Sequence, residues 1–246
     1  MKISVCIEAV YNGRDFIESM KEVSSLGVKA FEFWTWWDKD LGAIKKAKEE
    51  LNLEVATFCT KFVSLVDPAK REEYIKGLKE SIEAAKFLGC RTLISQTGND
   101  TGMPREFQRQ SMIDGLKACA PMLEEAGVTL VLEPLNLYVD HPGYYLYSSA
   151  EGFEIVEKVA SSNVKLLFDI YHQQIMEGNL IRNITSNIDK IGHFHAAGNP
   201  GRQELYFGEI NYNEVFKVID AAGYKGYIGF EYFPVEEPRK GIEAFL

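Results

Sequence analysis

The chain has 246 residues, of which 46% are apolar and 12% aromatic, so it can bury a sizeable core. The net charge of −9 and the pI near 5.1 argue against a nucleic-acid surface, which needs a basic footprint. No apolar run is long enough for a membrane helix, and the N-terminus is typical of a first strand rather than a signal peptide. Four widely spaced cysteines fit neither a disulfide framework nor a zinc ribbon, and they predict a reduced, cytoplasmic protein.

Short apolar runs alternate with longer amphipathic segments along the whole chain. Strands are predicted at residues 3–8, 29–34, 53–58, 91–95, 128–132, 164–168, 191–196 and 226–231. Helices are predicted at residues 14–26, 40–51, 69–88, 104–126, 149–160, 171–186 with a break near Gly178, 212–222 and 236–245. A repeat of about 30 residues, eight times over, predicts a closed (β/α)8 TIM barrel of the α/β class. We expect residues 1–246 to form this barrel as a single domain.

Extra chain length collects after three of the predicted strands. Residues 133–148 separate strand 5 from the next helix, and residues 97–103 and 197–211 form long connections after strands 4 and 7. Compact connections of this kind usually span about 2–6 residues. In barrel enzymes the active site is built at the carboxyl ends of the strands. These loops therefore predict a functional site at that end of the barrel.

Four residues with metal-binding side chains mark the ends of four consecutive predicted strands. They are Glu133 after VTLVL, Asp169 after VKLLF, His195 in IGHFH and Glu231 after GYIGF. Parallel barrel strands present their carboxyl ends on one face, so the four side chains should meet. Three carboxylates and one imidazole suit a divalent ion such as Mn²⁺, Mg²⁺ or Co²⁺ with open positions for a substrate. Separate ion pairs of each acid at the barrel rim would not explain their common placement.

Three other groups at this edge are candidates to bind a substrate. His172 lies at the start of the helix after strand 6, where it can donate to a substrate oxygen or face solvent. Arg202, in the NPGR loop, suits a carboxylate or a sugar oxygen, and a solvated loop cation is the alternative. Trp36 and its neighbours in FWTWW can wall a small polar substrate, pack in the core or contact a second copy of the chain.

Two polar residues fall inside predicted strands rather than at their ends. Glu32 lies within strand 2, where we expect a buried and paired acid. His193 precedes His195 by two residues, so it should point the same way from the strand, one layer deeper in the barrel. No Gly-x-Gly-x-x-Gly, Walker or Gly-x-Ser-x-Gly motif occurs, so neither a nucleotide site nor a serine nucleophile is predicted.

Several stretches of the chain resemble the hydroxypyruvate isomerase family. They are EPLN at 133–136, LLFDIYHQQIMEGN at 166–179, IGHFHAAGNPGRQE at 191–204, GEINY at 208–212 and GYIGFEYFP at 226–234. That family belongs to the xylose isomerase-like TIM barrels, together with the ketose 3-epimerases and an apurinic-site endonuclease. The resemblance covers most of residues 128–234, whereas residues 1–125 match mainly in architecture.

The resemblance implies roles for the candidate residues. The four strand-end residues correspond to metal ligands, their two glutamates to an acid/base pair, and His172 and Arg202 to positions that grip the substrate. The chain departs from the hydroxypyruvate isomerases at His195, where they carry Gln, and shares that histidine with the epimerases. It departs from the epimerases at Val139, where they carry a second acid; here the neighbouring Asp140 is the nearest carboxylate in sequence.

The reaction implied by the resemblance is isomerisation of hydroxypyruvate to tartronate semialdehyde through an enediolate. The substrate class is a small hydroxy-keto acid or a short sugar. Epimerisation of a short ketose at C3 is an alternative, because two glutamates near one metal can serve opposite faces of one carbon. A barrel that binds a metal or a sugar without catalysis is another. The endonuclease reaction is disfavoured, because the chain is acidic and has only four histidines for a multi-metal site.

Overall fold

The computed structural model describes residues 1–246, and its eight parallel strands form a closed barrel in chain order. The strands are β1 Lys2–Cys6, β2 Ala30–Phe33, β3 Glu54–Cys59, β4 Thr92–Ser95, β5 Thr129–Leu132, β6 Val164–Asp169, β7 Ile191–Ala196 and β8 Tyr227–Phe230. The barrel closes because β1 pairs with both β2 and β8, so that Ser4 lies opposite Ala30 on one side and Gly229 on the other. The predicted (β/α)8 TIM barrel is confirmed.

Helices surround the barrel and connect its consecutive strands. They are α1 Ile7–Val10, α2 Phe16–Ser25, α3 Leu41–Glu50, α4 Arg71–Leu88, α5 Arg105–Ala126, α6 Ser149–Val159, α7 Ile170–Met176, α8 Leu180–Asn187, α9 Tyr212–Ala221 and α10 Pro238–Glu243. Single turns of 3-10 helix at Pro68–Lys70 and Ile188–Lys190 precede α4 and β7. None of the helices is long and apolar enough to cross a membrane.

Most predicted elements are shifted by one or two residues at an end, and two differ in kind from the observed ones. The first strand, predicted over residues 3–8, ends at Cys6, because the next four residues turn into the short helix α1. The helix predicted over residues 171–186 is two helices, α7 and α8, and its predicted break is confirmed. Gly178 adopts a φ of +63°, a left-handed conformation that interrupts an α-helix and that glycine adopts without steric cost.

The buried apolar residues divide into a large outer layer and a small inner one. The outer layer contains 61 buried residues between the strands and the helices. In it, Phe31 of β2 packs edge-on against Phe16 of α2, with ring centroids 6.1 Å apart. The inner layer, inside the barrel, consists of Cys59, Ile94, Val131 and Leu167. Beside this layer the barrel interior is polar, since Ser4, Glu32 and His193 are also buried there.

The inner row of side chains continues past the strand ends into the barrel mouth. Successive side chains of a strand point to opposite faces, so the residue two positions after an inward one also points inward. Glu133 stands two positions after the inner residue of β5, and Asp169 stands two positions after that of β6. His195 follows the inward His193 by the same interval. The strand alternation therefore aims these side chains at the carboxyl end of the barrel.

Candidate active site

The four strand-end residues meet at one point in the barrel mouth. The Nδ1 atom of His195 lies 3.3 Å from Oε1 of Glu133, 3.5 Å from Oε2 of Glu231 and 4.0 Å from Oδ2 of Asp169. One ligand atom from each of the four residues lies within 4.8 Å of the others. All four side chains are buried. The predicted convergence of these residues is thus present in the fold.

Asp169 is held in place by the backbone that follows it. It is the last residue of β6 and the N-cap of α7, and its Oδ1 accepts a hydrogen bond of 3.0 Å from the backbone N–H of His172. Such a cap satisfies a helix N–H that otherwise lacks a partner. The cap uses one carboxylate oxygen, so Oδ2 is the oxygen that faces His195.

Glu231 is fixed by two donors, one on each carboxylate oxygen. The indole Nε1 of Trp34 donates to Oε1 at 2.6 Å, and the Arg202 guanidinium donates to Oε2. Trp34 is positioned in turn by Glu8, whose carboxylate accepts from the backbone N–H of Trp34 and pairs with Lys39 at 2.7 Å. Glu231 therefore has little freedom to reorient.

Glu133 is held less tightly than Glu231. Its backbone carbonyl accepts from the Tyr144 hydroxyl at 3.2 Å, which fixes the chain just after β5. Its carboxylate has only His195 as a polar partner. This carboxylate, in contrast to that of Glu231, remains available to a molecule in the cavity.

Burial and charge act on the protonation of the cluster in opposite directions. Burial raises the pKa of the Glu133 and Asp169 carboxyl groups, because a buried site penalises the charged form. Burial also disfavours charge on Glu231, but His195 and Arg202 outweigh it and lower the pKa of that carboxyl group. Likewise burial disfavours an imidazolium at His195, yet Glu231 and Glu32 raise its pKa well above the usual value. The raised pKa of His195 indicates that positive charge is favoured between these carboxylates.

The donor set fits a divalent metal ion. The Nδ1 atom of His195 is buried and has no hydrogen-bond partner, although it lies among three carboxylates. A buried polar atom without a partner is costly, and a metal ion satisfies it. Carboxylate oxygens with one imidazole nitrogen suit Mn²⁺, Mg²⁺, Co²⁺ and related ions. The nearby Cys59 thiol is no competing ligand in this geometry, since it accepts from the Gln96 amide at 3.4 Å.

His172 presents a hydrogen-bond donor to this cluster. Its Nδ1 accepts from the backbone N–H of Asn136 at 3.3 Å, so the ring hydrogen is on Nε2. Burial, together with the charge of Arg202, lowers the pKa of His172 well below its usual value, which keeps the ring neutral. The Nε2 atom lies 3.5 Å from Oδ2 of Asp169 and has no hydrogen-bond partner. His172 does not face solvent, which was the alternative considered from the sequence.

Trp36, a candidate substrate-binding residue, does not line the cavity. Its Nε1 donates to the Ser81 hydroxyl of α4 at 3.1 Å, and its ring packs against the outer layer of the core. Trp34 is the tryptophan that lines the cavity. Trp37 is 38% exposed and packs edge-on against Phe62 at the mouth, and its contact with a second copy of the chain stays a prediction.

A cavity of about 360 Å³ opens above the cluster. Its lining residues are Trp34, Cys59, Phe62, Ile94, Gln96, Glu133, Leu135, His141, Tyr144, His195, Arg202 and Glu231. The strand-end pattern did not indicate Gln96, His141 or Tyr144 as cavity residues. Gln96 had a usable signal, because it directly follows β4 as Glu133 follows β5. The other two belong to the long segment after β5, whose path the strand pattern does not determine.

The fold and the site together define the class of protein. Residues 20–246 match the family described as xylose isomerase-like TIM barrel. The chain belongs to this family.

The relatives narrow the assignment further. The 2-oxo-tetronate isomerase of Cupriavidus necator is 40% identical over 98% of this chain and 94% of its own, and the hydroxypyruvate isomerase of Escherichia coli is 30% identical over 98% and 97%. The crystal structure of an AP endonuclease, family 2, from Brucella melitensis has a TM-score of 0.95 at 27% identity and covers 99% of this chain and 97% of that one. The protein is thus an isomerase of the hydroxypyruvate isomerase family, of the sugar or keto-acid kind. The non-catalytic barrel considered from the sequence is set aside.

Proposed function

We propose that the protein isomerises a 3-hydroxy-2-oxo acid of three or four carbons to its 2-hydroxy-3-oxo isomer, with a divalent metal ion. The two acids to test first are hydroxypyruvate, which gives tartronate semialdehyde, and 2-oxo-tetronate. Both substrate names come from relatives that align over nearly the whole chain. The observation that carries the proposal is the meeting of Glu133 and Glu231, from opposite parts of the barrel, at one buried point. The cavity of about 360 Å³ is near the small end of ligand sites, as a short acid requires.

In this proposal the four strand-end residues hold the metal ion. Their Oε1, Oδ2, Nδ1 and Oε2 atoms face one another across the cluster, and no thiolate takes part. When bound, such an ion would act as a Lewis acid that stabilises negative charge developing on substrate oxygens. Mn²⁺, Mg²⁺ and Co²⁺ are the ions proposed from the donor set.

Glu133 is the proposed base of the reaction. It removes the proton from C3, and the electron pair of that C–H bond becomes the C2–C3 double bond of an enediolate. Return of the proton to C2 gives the 2-hydroxy-3-oxo product, while the hydroxyl proton moves from O3 to O2. Glu231 is the second member of the acid/base pair and handles this oxygen-bound proton. Glu133 is assigned to carbon because no hydrogen-bond donor restrains its carboxylate, whereas Trp34 and Arg202 restrain that of Glu231.

Arg202 and His172 are the proposed groups that orient the acid. Arg202 is the only arginine or lysine among the cavity-lining residues, and its Nε has no hydrogen-bond partner. A guanidinium presents several donors in a plane, which suits a carboxylate. His172 does not line the cavity, but its unpartnered Nε2–H is a second donor beside Asp169. The substrate carboxylate would thus meet the one cationic side chain that lines the cavity.

Epimerisation of a ketose at C3 is the second candidate function. It is favoured by the imidazole at position 195, which the epimerases share. It is disfavoured by the long segment after β5. There Val139 stands where the epimerases carry a second acid, and it is 64% exposed. Asp140 does not replace the missing acid, since its Oδ2 accepts from Asn136 at 2.6 Å and from the Tyr171 hydroxyl at 2.9 Å. Neither residue lines the cavity.

Product analysis tests the proposed reaction. Hydroxypyruvate, 2-oxo-tetronate and a set of five- and six-carbon ketoses are each incubated with metal-loaded protein, and the products are identified by ¹³C NMR. We expect turnover of at least one of the two acids and no C3 epimer of any ketose. Epimerisation of a ketose without turnover of either acid would favour the second candidate, and no product from any substrate would contradict both.

A further inference from the structure

A polar network lies inside the barrel, directly beneath His195. Glu32 of β2 is its centre: Oε2 accepts from the Ser4 hydroxyl at 2.7 Å and lies within hydrogen-bond distance, 3.0 Å, of Nε2 of His193. The other oxygen, Oε1, lies 3.0 Å from Nε2 of His195. All four side chains are at most 2% exposed. Glu32 is thus anchored by two groups through one oxygen and offers the other oxygen to His195.

The two ring nitrogens of His195 face different partners. Nδ1 lies among the three carboxylates of the cluster, whereas Nε2 points down the barrel to Glu32. The Nε2–H is not aimed squarely at Oε1, but neither atom has another hydrogen-bond partner. A histidine that binds a metal through one nitrogen commonly donates its other N–H to a carboxylate, which fixes the ring and its tautomer.

A glycine on β8 leaves the space that the Glu32 carboxylate occupies. Gly229 of β8 pairs with Ser4 on one side and with His195 on the other. A Cβ atom at Gly229 would collide with the Glu32 carboxylate, so only glycine allows this carboxylate to lie where it does. A buried carboxylate is expensive without partners. The barrel supplies those partners and a glycine to accommodate this carboxylate, which points to a role beyond packing.

A second metal site at Glu32, His193 and His195 is the competing explanation of these contacts. The three residues are close enough to share an ion. However, their carboxylate–imidazole pairs are already at hydrogen-bond distance, and Ser4 donates to the same carboxylate. Neither Glu32 nor His193 lines the cavity, so an ion has no open position for a substrate there.

We infer that Glu32 is a positioning residue for His195: it takes the Nε2–H and thereby turns Nδ1, as an unprotonated donor, toward the proposed metal position. Ser4 and His193 hold Glu32, and Gly229 leaves the space for it. This inference rests on the proposed metal site for its functional meaning. The contact between Glu32 and His195 itself can be tested with or without a metal ion.

Nitrogen-15 NMR of the histidine rings tests the contact in the wild-type protein. The chain has four histidines, so the ring signals can be assigned by single substitutions. We expect Nε2 of His195 to be protonated in both the metal-free and the Zn²⁺-loaded protein, and Nδ1 to shift on addition of Zn²⁺. A His195 whose Nε2 is unprotonated would overturn the inference, even if the protein binds metal. Loss of the Zn²⁺-dependent shift alone, with Nε2 protonated, would instead count against the proposed metal site.

Three variants test whether Glu32 affects the affinity of the site for a metal ion. Glu32→Gln keeps the side-chain volume but loses the charge, Ser4→Ala removes one anchor of Glu32, and Gly229→Ala displaces the carboxylate. Mutation of a residue that supports a metal-binding histidine typically lowers metal affinity about 10–100-fold, which we expect for Glu32→Gln by Zn²⁺ titration calorimetry because the carboxylate charge is lost. Ser4→Ala should have a smaller effect in the same direction and serves if Glu32→Gln does not fold.

Glu204→Gln is the matched control for these variants. Glu204 is also fully buried, but it accepts from the backbone N–H groups of Val235 and Glu236, away from His195. It should lose thermal stability without losing Zn²⁺ affinity. Wild-type Zn²⁺ affinity and an unchanged His195 Nε2 signal in every folded Glu32, Ser4 and Gly229 variant would overturn the inference.

Discussion

Glu133→Gln is expected to abolish exchange of the substrate C3 proton and to lower kcat by about 10²-fold or more. Gln has nearly the shape of Glu and can still offer one oxygen to a metal ion, but it cannot accept a proton at neutral pH. General base catalysis contributes about 10²–10⁴-fold to rate, so its removal should dominate the effect. Glu133 makes no ion pair with Arg or Lys, and we therefore expect normal folding. Exchange is followed by NMR of the substrate in D₂O.

Glu231→Gln is the matched variant and should distinguish the roles of the two carboxylates. It should also lose most turnover, but slow exchange at C3 should remain because Glu133 is intact. Its stability should fall, since the substitution leaves the partly buried Arg202 without its charged partner. Near wild-type turnover in both variants would show that these carboxylates are not the acid/base pair. Retained exchange in each variant, on opposite faces of one carbon, would indicate an epimerase.

His195→Ala is expected to lose metal binding by more than about 100-fold. Loss of a hydrogen bond that only supports a ligand typically costs about 10–100-fold, and loss of the ligand itself should cost more. His141→Ala is the control, because His141 lines the same cavity but is not one of the four clustered residues. Both proteins are loaded with Mn²⁺, dialysed and analysed for metal content after circular dichroism has verified folding. Equal Mn²⁺ content in His195→Ala and the wild type would contradict the proposed ligand set.

The strand pattern was sufficient to predict the architecture and the placement of the charged cluster. In a parallel barrel the alternation of side chains and the common direction of the strands fix where a strand-end residue points. Glu133 and His195 could therefore be brought together without knowledge of any loop. The buried and paired character of Glu32 followed in the same way, because a carboxylate inside a strand that is buried on both faces needs a partner.

Residues outside the strands were predicted less well, and the tryptophans show why. Trp34, Trp36 and Trp37 lie in one short stretch, and the strand period does not continue through it. Trp34 enters the cavity because Glu8 binds its backbone N–H and because Glu231 accepts from its indole. Trp36 turns outward to Ser81 on α4. These contacts join residues far apart in the sequence, so local pattern alone could not select Trp34.

The most direct test of proton transfer catalysed at this site is metal-dependent hydrogen exchange on hydroxypyruvate. The acid is incubated in D₂O with the Mn²⁺-loaded protein, with the protein treated with EDTA and without protein, and deuterium at C3 is measured by mass spectrometry after the metal is removed. The same series with 2-oxo-tetronate covers the four-carbon acid. We expect rapid deuterium incorporation into at least one acid with the loaded protein, loss of it after EDTA treatment and recovery on readdition of Mn²⁺. Incorporation no faster than in the protein-free control for both acids would contradict the proposed reaction.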